Sequence, residues 1–163
     1  MKQFVDVGFV SDLHLGHDLA ARSRGYLSTA DHDIEIVRQL QRRCNKRTVL
    51  WVLGDVAMRE SALDLLAVVP GRKVLVRGNH DTFPISTYLK YFEDVCGFLR
   101  YKQMWLSHCP IHPQEMYRCK LNVHGHIHKN TRSLELARPY FNVNWDFWRD
   151  VVPLHTLVKF RDS

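Results

Sequence analysis

The stretch FVSDLH, residues 9–14, leads from an apolar run directly into two residues that can bind a metal ion. The apolar run belongs to the first of three Val- and Leu-rich segments that predict buried strands: 4–10, 48–53 and 73–76. Helical patterns near 31–43 and 60–69 separate these segments. Because strands alternate with helices, the sequence predicts βαβ units and a parallel sheet.

After Tyr91 the apolar segments become shorter. They predict strands around 98–107, 120–124, 139–143 and 155–160, joined by turns. We therefore expect an α/β fold in which two β-sheets pack together and helices lie outside. The 163 residues show no repeat, linker or low-complexity segment, so a single domain over 1–163 is expected.

Composition argues against several classes of protein. The longest apolar runs, such as 62–70, are shorter than the roughly 18 residues of a membrane helix. At the N-terminus, Asp6 interrupts the apolar stretch that a signal peptide would need. We expect a cytoplasmic protein that does not bind membranes. The four cysteines form no Cys-x-x-Cys pair, which argues for reduced thiols instead of a zinc ribbon or a disulfide framework. A net charge of +6 is compatible with modest attraction to anionic substrates.

Five apolar segments end in residues that can bind metal ions. In α/β sheets, the loops at the carboxyl ends of the strands converge on a common crevice, so these residues are expected to meet. The candidate ligands are Asp12, His14, Asp55, Asn79, His108, His126 and His128. These oxygen and imidazole donors include no thiolate and suit Mn, Fe, Zn, Co or Ni.

The number of candidate ligands predicts two metal ions. Seven ligands exceed what one tetrahedral zinc uses. Two ions about 3.5–4 Å apart can clamp a phosphoryl oxygen and acidify a shared water, and a carboxylate such as Asp55 can bridge them. Because His126 and His128 are two positions apart in an extended chain, they point to the same side, and one can serve each ion. Three glycines adjoin the ligands where the chain must turn near a metal: Gly54, Gly78 and Gly125.

The ordered series Asp-x-His, Gly-Asp, Gly-Asn-His-Asp, Ser-His and Gly-His-x-His resembles the calcineurin-like metallophosphoesterases. Its instances here begin at Asp12, Gly54, Gly78, Ser107 and Gly125. The stretches 12–17 and 142–146 look like those of the small, cap-less bacterial and phage members. The resemblance covers nearly the whole chain and implies the fold of that family, a double β-sandwich flanked by helices.

The resemblance also implies a role for each candidate residue. It assigns the first metal to Asp12, His14, Asp55 and His128, and the second to Asp55, Asn79, His108 and His126. His80 would be the non-ligand histidine beside the scissile phosphate, acting as general acid or stabilising transition-state charge, and Asp81 would orient it. The nucleophile would be a metal-bridging hydroxide. Mn is the expected metal, with Fe, Zn, Ni, Co and Mg as alternatives.

A dinuclear metal-dependent phosphoesterase is therefore the leading hypothesis. A phosphodiester substrate of nucleotide-like chemistry is favoured over a monoester, because a cap-less site is open. A phosphomonoesterase and a nuclease of the same superfamily are the alternatives, although nothing else indicates nucleic acid as a partner. The non-enzyme alternative is a binding scaffold with this fold, which would be expected to have lost ligands that this chain keeps.

Other residues near the motifs have less defined roles. His17 either faces the phosphate or caps its loop. Small members often carry Arg-Pro-Phe where this chain has Arg24-Gly25-Tyr26, so Arg24 is a candidate phosphate contact, with a solvated face as the favoured alternative. Cys109 stands where an aromatic residue is common, which would alter the pocket wall. His124 is expected to support the ligand-bearing strand. Ordinary packing or surface roles are expected for His32, His112, His155, Trp145 and Trp148.

Overall fold

A computed structural model describes residues 4–129 and 139–163. Within these residues the strands are β1 (Val7–Val10), β2 (Val49–Val52), β3 (Arg72–Val76), β4 (Asp94–Cys96), β5 (Leu99–Tyr101), β6 (Met104–Leu106), β7 (Leu121–His124), β8 (Tyr140–Asn142) and β9 (Val152–Pro153). The helices are α1 (Asp18–Ser23), α2 (Thr29–Arg43), α3 (Ile85–Tyr88), α4 (Trp145–Trp148) and α5 (Leu154–Asp162), with 3-10 helices at Glu60–Val68 and Pro113–Arg118.

The strands form two sheets. The first has the order β4-β3-β2-β1-β9, in which β1 to β4 are parallel and β9 is antiparallel to β1. The second has the order β5-β6-β7-β8, in which β6, β7 and β8 are parallel. The predicted α/β architecture of two sheets with flanking helices is confirmed.

Successive residues of β1, β2 and β3 point to opposite faces of the first sheet and so serve two cores. The core between the sheets contains Phe9, Trp51, Leu53, Val74, Val76, Met104, Leu106, Leu121 and Val123. The core beneath α2 and the first 3-10 helix contains Val10, Leu50, Val52, Leu75, Ile36, Leu40, Leu63 and Leu66. Both faces of this sheet are covered, which explains why its strands read as continuous apolar runs.

The sequence of helix α2 contains a capping residue, a buried apolar face and a basic last turn. The side chain of Ser28 accepts a hydrogen bond from the backbone N–H of Asp31 at 3.0 Å and caps the first turn. Ile36, Val37 and Leu40 recur at helical spacing and are buried. The cations in the last turn complement the helix dipole, as the basic run in the sequence predicts.

The predicted strand at 155–160 is wrong, because this segment lies in helix α5. Its Thr, Val and Phe residues favour a strand by composition. Its apolar spacing is that of a helix, since Leu157 and Val158 follow Leu154 by three and four positions. Leu157 is fully buried against the core between the sheets, and this tertiary packing decides the outcome.

Two other predicted elements take a different local form. The segment 98–107 contains two strands, β5 and β6, which pair as a hairpin. Lys102 and Gln103 at its turn have positive φ values of 46° and 60°, as a tight two-residue hairpin turn requires. The predicted helix near 60–69 is a 3-10 helix. In the part of the chain that the structure describes, no helix has the length and apolarity needed to cross a membrane.

Candidate metal centre

The loops that follow β1, β2 and β3 in the first sheet, and β6 and β7 in the second, meet at one edge of the molecule. They extend from the carboxyl ends of parallel strands, as expected for a ligand site. A parallel bridge between Ser11 and Asn144 joins the two sheets at this edge. The loops bring together all seven predicted ligands: Asp12, His14, Asp55, Asn79, His108, His126 and His128.

Four ligand atoms gather at the first position. Asp12 Oδ1 lies 3.9 Å from His14 Nε2 and 3.4 Å from His128 Nε2. His14 Nε2 lies 3.8 Å from Asp55 Oδ2 and 3.4 Å from His128 Nε2. Ligands about 2.0–2.2 Å from a common metal ion are separated by distances of this order. These four atoms can therefore surround one ion.

Four ligand atoms also gather at the second position. His108 Nε2 lies 3.4 Å from Asp55 Oδ2 and 3.0 Å from Asn79 Oδ1. His126 Nδ1 lies 3.0 Å from Asn79 Oδ1 and 3.2 Å from His108 Nε2. Asp55 Oδ2 is thus common to both positions. The division between the two positions is the one that the family resemblance implies.

The hydrogen-bonding pattern of the ligands fits a cation. His108 Nδ1 donates to the carbonyl oxygen of Leu53 at 2.8 Å, which leaves Nε2 as the ring nitrogen that can bind an ion at the centre. Asp12 Oδ1 is buried and has no hydrogen-bond partner among the described residues, while Asp12 Oδ2 accepts from Ser11 Oγ and from the backbone N–H of His126. Lone pairs that face one another without a donor are stabilised by a positive ion between them.

The pKa values of the metal-free protein agree with this arrangement. Burial lowers the pKa of His14 to about 4 and also lowers that of His126, so both rings are neutral and can bind a metal at neutral pH. The neighbouring carboxylates of Asp12, at 3.4 Å, and Asp146, at 2.7 Å, raise the pKa of His128 to about 9. Burial opposes ionisation of Asp55, but His108 outweighs it and the pKa of Asp55 falls to about 2. A metal at the first position therefore displaces a proton from His128.

Four of the ligand residues have left-handed backbone conformations. The φ values are 57° at Asp12, 51° at His14, 54° at Asp55 and 66° at His126. Such conformations cost of order 1 kcal/mol or more for residues other than glycine, and they concentrate at functional sites. The chain folds its loops tightly here to aim the side chains at a common point.

The sequence model of the calcineurin-like phosphoesterase family matches residues 5–161. The chain belongs to this family. Members depend on two metal ions, and the converging side chains provide candidate ligands for both.

Similar proteins match this phosphoesterase along nearly its whole length. The gene 66 proteins of Mycobacterium phages D29 and L5 are each 28% identical to it. The D29 match covers 91% of this chain and 92% of the phage protein, and the L5 match covers 88% of each. A crystal structure of a protein of unknown function from Aquifex aeolicus has a TM-score of 0.76 and 25% identity, covering 94% of this chain and 97% of that one. The predicted resemblance to small phage members is confirmed.

Asp81 contacts the backbone of the loops that carry the candidate ligands. Its carboxylate accepts the N–H groups of Asp55 at 2.9 Å, Val56 at 2.9 Å and Gly78 at 2.8 Å. The N–H of His80 in turn donates to Asp55 Oδ1 at 3.0 Å. The carboxylate thus joins the loop of Asp55 to the loop of His80, and its described contacts do not include the imidazole. The orienting role of Asp81 stays a prediction.

Arg24 lies behind the first metal position, and its predicted solvated face is wrong. The side chain is only 3% exposed. Its guanidinium donates to the carbonyl oxygens of Asp12 at 2.6 Å and Leu13 at 2.9 Å, and to Asp146 Oδ1 at 2.8 Å. Asp146 Oδ2 accepts from His128 Nδ1 at 2.7 Å, which turns Nε2 toward the metal position. Arg24 therefore connects the loop that carries Asp12 and His14 to Asp146 in α4, the partner of His128.

His32 and Asp33 extend this support into helix α2. Arg24 donates to His32 Nε2 at 2.9 Å, and His32 Nδ1 donates to Asp33 Oδ1 at 2.7 Å. Asp33 Oδ2 accepts from the N–H of Gly16 at 2.8 Å, next to the loop that carries His14. The sequence gives little signal for this role. In the sequence, this role is indicated only by two adjacent polar residues, His32 and Asp33, on the buried side of an amphipathic helix.

His80 and His17 lie at the open side of the site. The ring centroids of His80 and His17 are 5.6 Å and 5.3 Å from that of His14. His80 is exposed, whereas His17 is partly buried and its Nδ1 has no hydrogen-bond partner among the described residues. Burial, followed by the nearby His80, lowers the pKa of His17. Their contacts with substrate stay predictions.

His124 has the supporting position that the sequence predicts. It is buried at the end of β7, and its Nδ1 donates to the carbonyl oxygen of Gly125 at 2.8 Å. Burial lowers its pKa to about 4. No described metal-compatible group of acidic, cysteine or histidine side chains includes it. Trp145 is buried in the core, and Trp148 stacks on Phe141.

Replacing Gly54 by alanine should destabilise the protein by about 2 kcal/mol or more. Gly54 has a φ of 87°, and an added Cβ would lie 2.6 Å from the backbone nitrogen of Gly78. Urea unfolding measures the effect. Gly97→Ala is the matched control because a Cβ there meets no atom within 4 Å, and its effect should stay within about 0.5 kcal/mol. Equal stabilities of the two variants would contradict this account of the loop.

Asp146→Asn should weaken binding of one of the two metal ions by about 10- to 100-fold, because His128 loses its charged partner. Calorimetric titration with Mn²⁺ measures both affinities. Asp150→Asn is the matched control, since Asp150 pairs with Arg43 away from the ligands. If both variants bind two ions with unchanged affinity, Asp146 does not support the first position.

Proposed function

We propose that this protein is a dinuclear metal-dependent phosphodiesterase, activated by Mn²⁺, that acts on nucleotide-like substrates. The observation that carries the proposal is the pair of four-atom ligand groups that share Asp55 Oδ2. When bound, two divalent ions supply an acidified water as nucleophile and positive charge beside the phosphoryl oxygens. The ligands named above would hold them.

The residues at the open side supply the rest of the chemistry. The backbone of His80 is fixed through Asp55 Oδ1, while its exposed imidazole is available to a substrate. From this position it can donate a proton to the leaving oxygen or stabilise charge on the phosphoryl group. The Asp81 carboxylate accepts the N–H groups of Asp55 and Gly78 and so fixes the backbone of the loop that carries His80.

The placement of the two arginines near the motifs, Arg24 and Arg59, favours a diester over a monoester. A monoester carries up to two negative charges and a diester one, so a monoester gains more from additional cations. Arg24 is turned into the interior, where its hydrogen bonds to Asp12, Leu13 and Asp146 hold it. Arg59 lies on the surface beside Asp18. Neither guanidinium is arranged to bind a second phosphate charge.

An exposed aromatic ring supports nucleotide-like substrates. Phe147 is 44% exposed and directly follows Asp146, which contacts His128. Lys129 Nζ lies 5.5 Å from the centre of the Phe147 ring. An aromatic ring with a cation beside it is suited to a nucleobase, which has a π face of its own.

A comparison of two aryl esters tests the substrate class. With two Mn²⁺ bound per chain, kcat/KM for bis(p-nitrophenyl) phosphate should exceed that for p-nitrophenyl phosphate by about ten-fold, which corresponds to about 1.4 kcal/mol in the barrier. The reverse preference would indicate a monoesterase. Absence of turnover with either ester, despite two bound ions, would favour a binding scaffold. Cleavage of DNA with steep salt dependence would indicate the nuclease alternative.

Replacing His80 by alanine should lower kcat for the diester by about 10²- to 10⁴-fold, since it removes a proton donor without removing a ligand. Metal content should stay at two ions per chain, and the midpoint of urea unfolding should not change. His155→Ala, on the exposed surface of α5, is the control and should keep full activity. Undiminished turnover by the His80 variant would exclude its catalytic role.

A further inference from the structure

Cys109 lies beside the second metal position. Its sulfur and one ring nitrogen each of His108 and His126 form a group in which all three atoms lie within 4.8 Å of one another. The two imidazoles are both ligands of the second position, with His108 Nε2 and His126 Nδ1 3.2 Å apart. Zinc binds sulfur at about 2.3 Å and imidazole nitrogen at about 2.0–2.1 Å, so two such ligands of one ion lie at most about 4.4 Å apart. The 4.8 Å limit of this group means that a small rotation of the Cys109 side chain is enough to bring its sulfur within reach of a shared ion.

The backbone around Cys109 is firmly held. Ser107 Oγ donates to the carbonyl oxygen of Cys109 at 2.7 Å, and the N–H of Gly125 donates to the carbonyl oxygen of His108 at 2.9 Å. On the other side, the N–H of Ile111 donates to Asn122 Oδ1 at 3.0 Å. The residue itself is exposed, so rotation of its side chain toward an ion displaces no core residue. The loop therefore presents the thiol at a fixed place.

A thiolate would make the two positions chemically different. The group at the first position, Asp12, His14 and His128, contains oxygen and nitrogen donors. The second position has the neutral donor Asn79 and a carboxylate oxygen that it shares with the first. Sulfur is a soft ligand that favours zinc and related ions over manganese and magnesium. A thiolate would also add a negative charge to the position that has less charge of its own.

We propose that Cys109 is a ligand of the second metal position and makes it selective for thiophilic divalent ions such as Zn²⁺ and Co²⁺. This inference rests on the proposed function in that both require the second position to hold an ion. On binding, the S–H bond of Cys109 breaks, its proton passes to solvent and a sulfur–metal bond forms, with no change in oxidation state. The result is a centre that can hold two different metals.

Cobalt spectroscopy tests the ligand directly. The metal-free protein is titrated with Co²⁺, and the wild type should develop a near-ultraviolet thiolate-to-cobalt charge-transfer band from one ion per chain. Cys109→Ser should lose this band and keep two bound ions with their visible ligand-field bands. Cys96→Ser is the matched control, because Cys96 lies in β4 beside Asp94, and it should keep the charge-transfer band.

Metal competition tests the selectivity. Cys109→Ser should bind Zn²⁺ at one of its two positions at least about ten-fold more weakly than the wild type does, while its Mn²⁺ affinity stays unchanged. An equal loss for both metals would overturn the selectivity.

The possible outcomes separate the two proposals. If the wild type binds two Co²⁺ without a charge-transfer band, or if the band persists in Cys109→Ser, the thiol is not a ligand. The phosphodiesterase proposal is then unaffected, because it does not require sulfur. If the wild type fails to bind two ions of any divalent metal tested, the dinuclear centre itself is contradicted. Ester hydrolysis is measured separately on the Mn²⁺-loaded protein.

Discussion

The structure depends on holding lone-pair-bearing atoms against one another. Asp55 Oδ2 faces His14 Nε2 at 3.8 Å and His108 Nε2 at 3.4 Å, and Asn79 Oδ1 is 3.0 Å from each of two imidazole nitrogens. At neutral pH such atoms repel unless a proton or a metal ion lies between them. The loops at this edge must therefore be rigid before the metal binds. Their left-handed residues and close backbone packing follow from that requirement.

Buried carboxylates that are not ligands supply much of this rigidity. Beyond β1 and β2 the loops keep some backbone hydrogen bonds, from the N–H of Asp12 to Gly54 and from that of His14 to Asp55, and carboxylates accept other N–H groups. Asp81 accepts three of the backbone N–H groups there, and Asp33 accepts that of Gly16. A carboxylate offers two oxygens that can join segments distant in sequence. Burial raises the pKa of Asp81, and the backbone hydrogen bonds partly offset this effect.

The sequence predicts the ligands better than it predicts their support. Ligands directly follow apolar strands, so strand periodicity and the shared edge of a parallel sheet bring them together. Arg24 gives no such signal, because its partner Asp146 is 122 residues away and only tertiary structure shows that the guanidinium points inward. Helix α5 was missed for a related reason. A short segment rich in Val and Phe fits a strand or a helix, and the burial of Leu157 decides between them.

The distribution of exposure determines how a substrate can approach. At the first position Asp12 is fully buried and His14 is 4% exposed. A substrate therefore has no access to the centre from the side of these two residues. At the second position Asn79 and His126 are exposed, as is the neighbouring His80. We therefore expect a phosphate to approach from the side on which these exposed residues lie. The buried side is backed by Asp146 and Arg24, whereas the open side carries His80, the proposed proton donor, and Cys109, the proposed ligand. Differences between related phosphoesterases in metal and substrate preference are then expected to arise on the open side, where a changed side chain does not disturb the buried network.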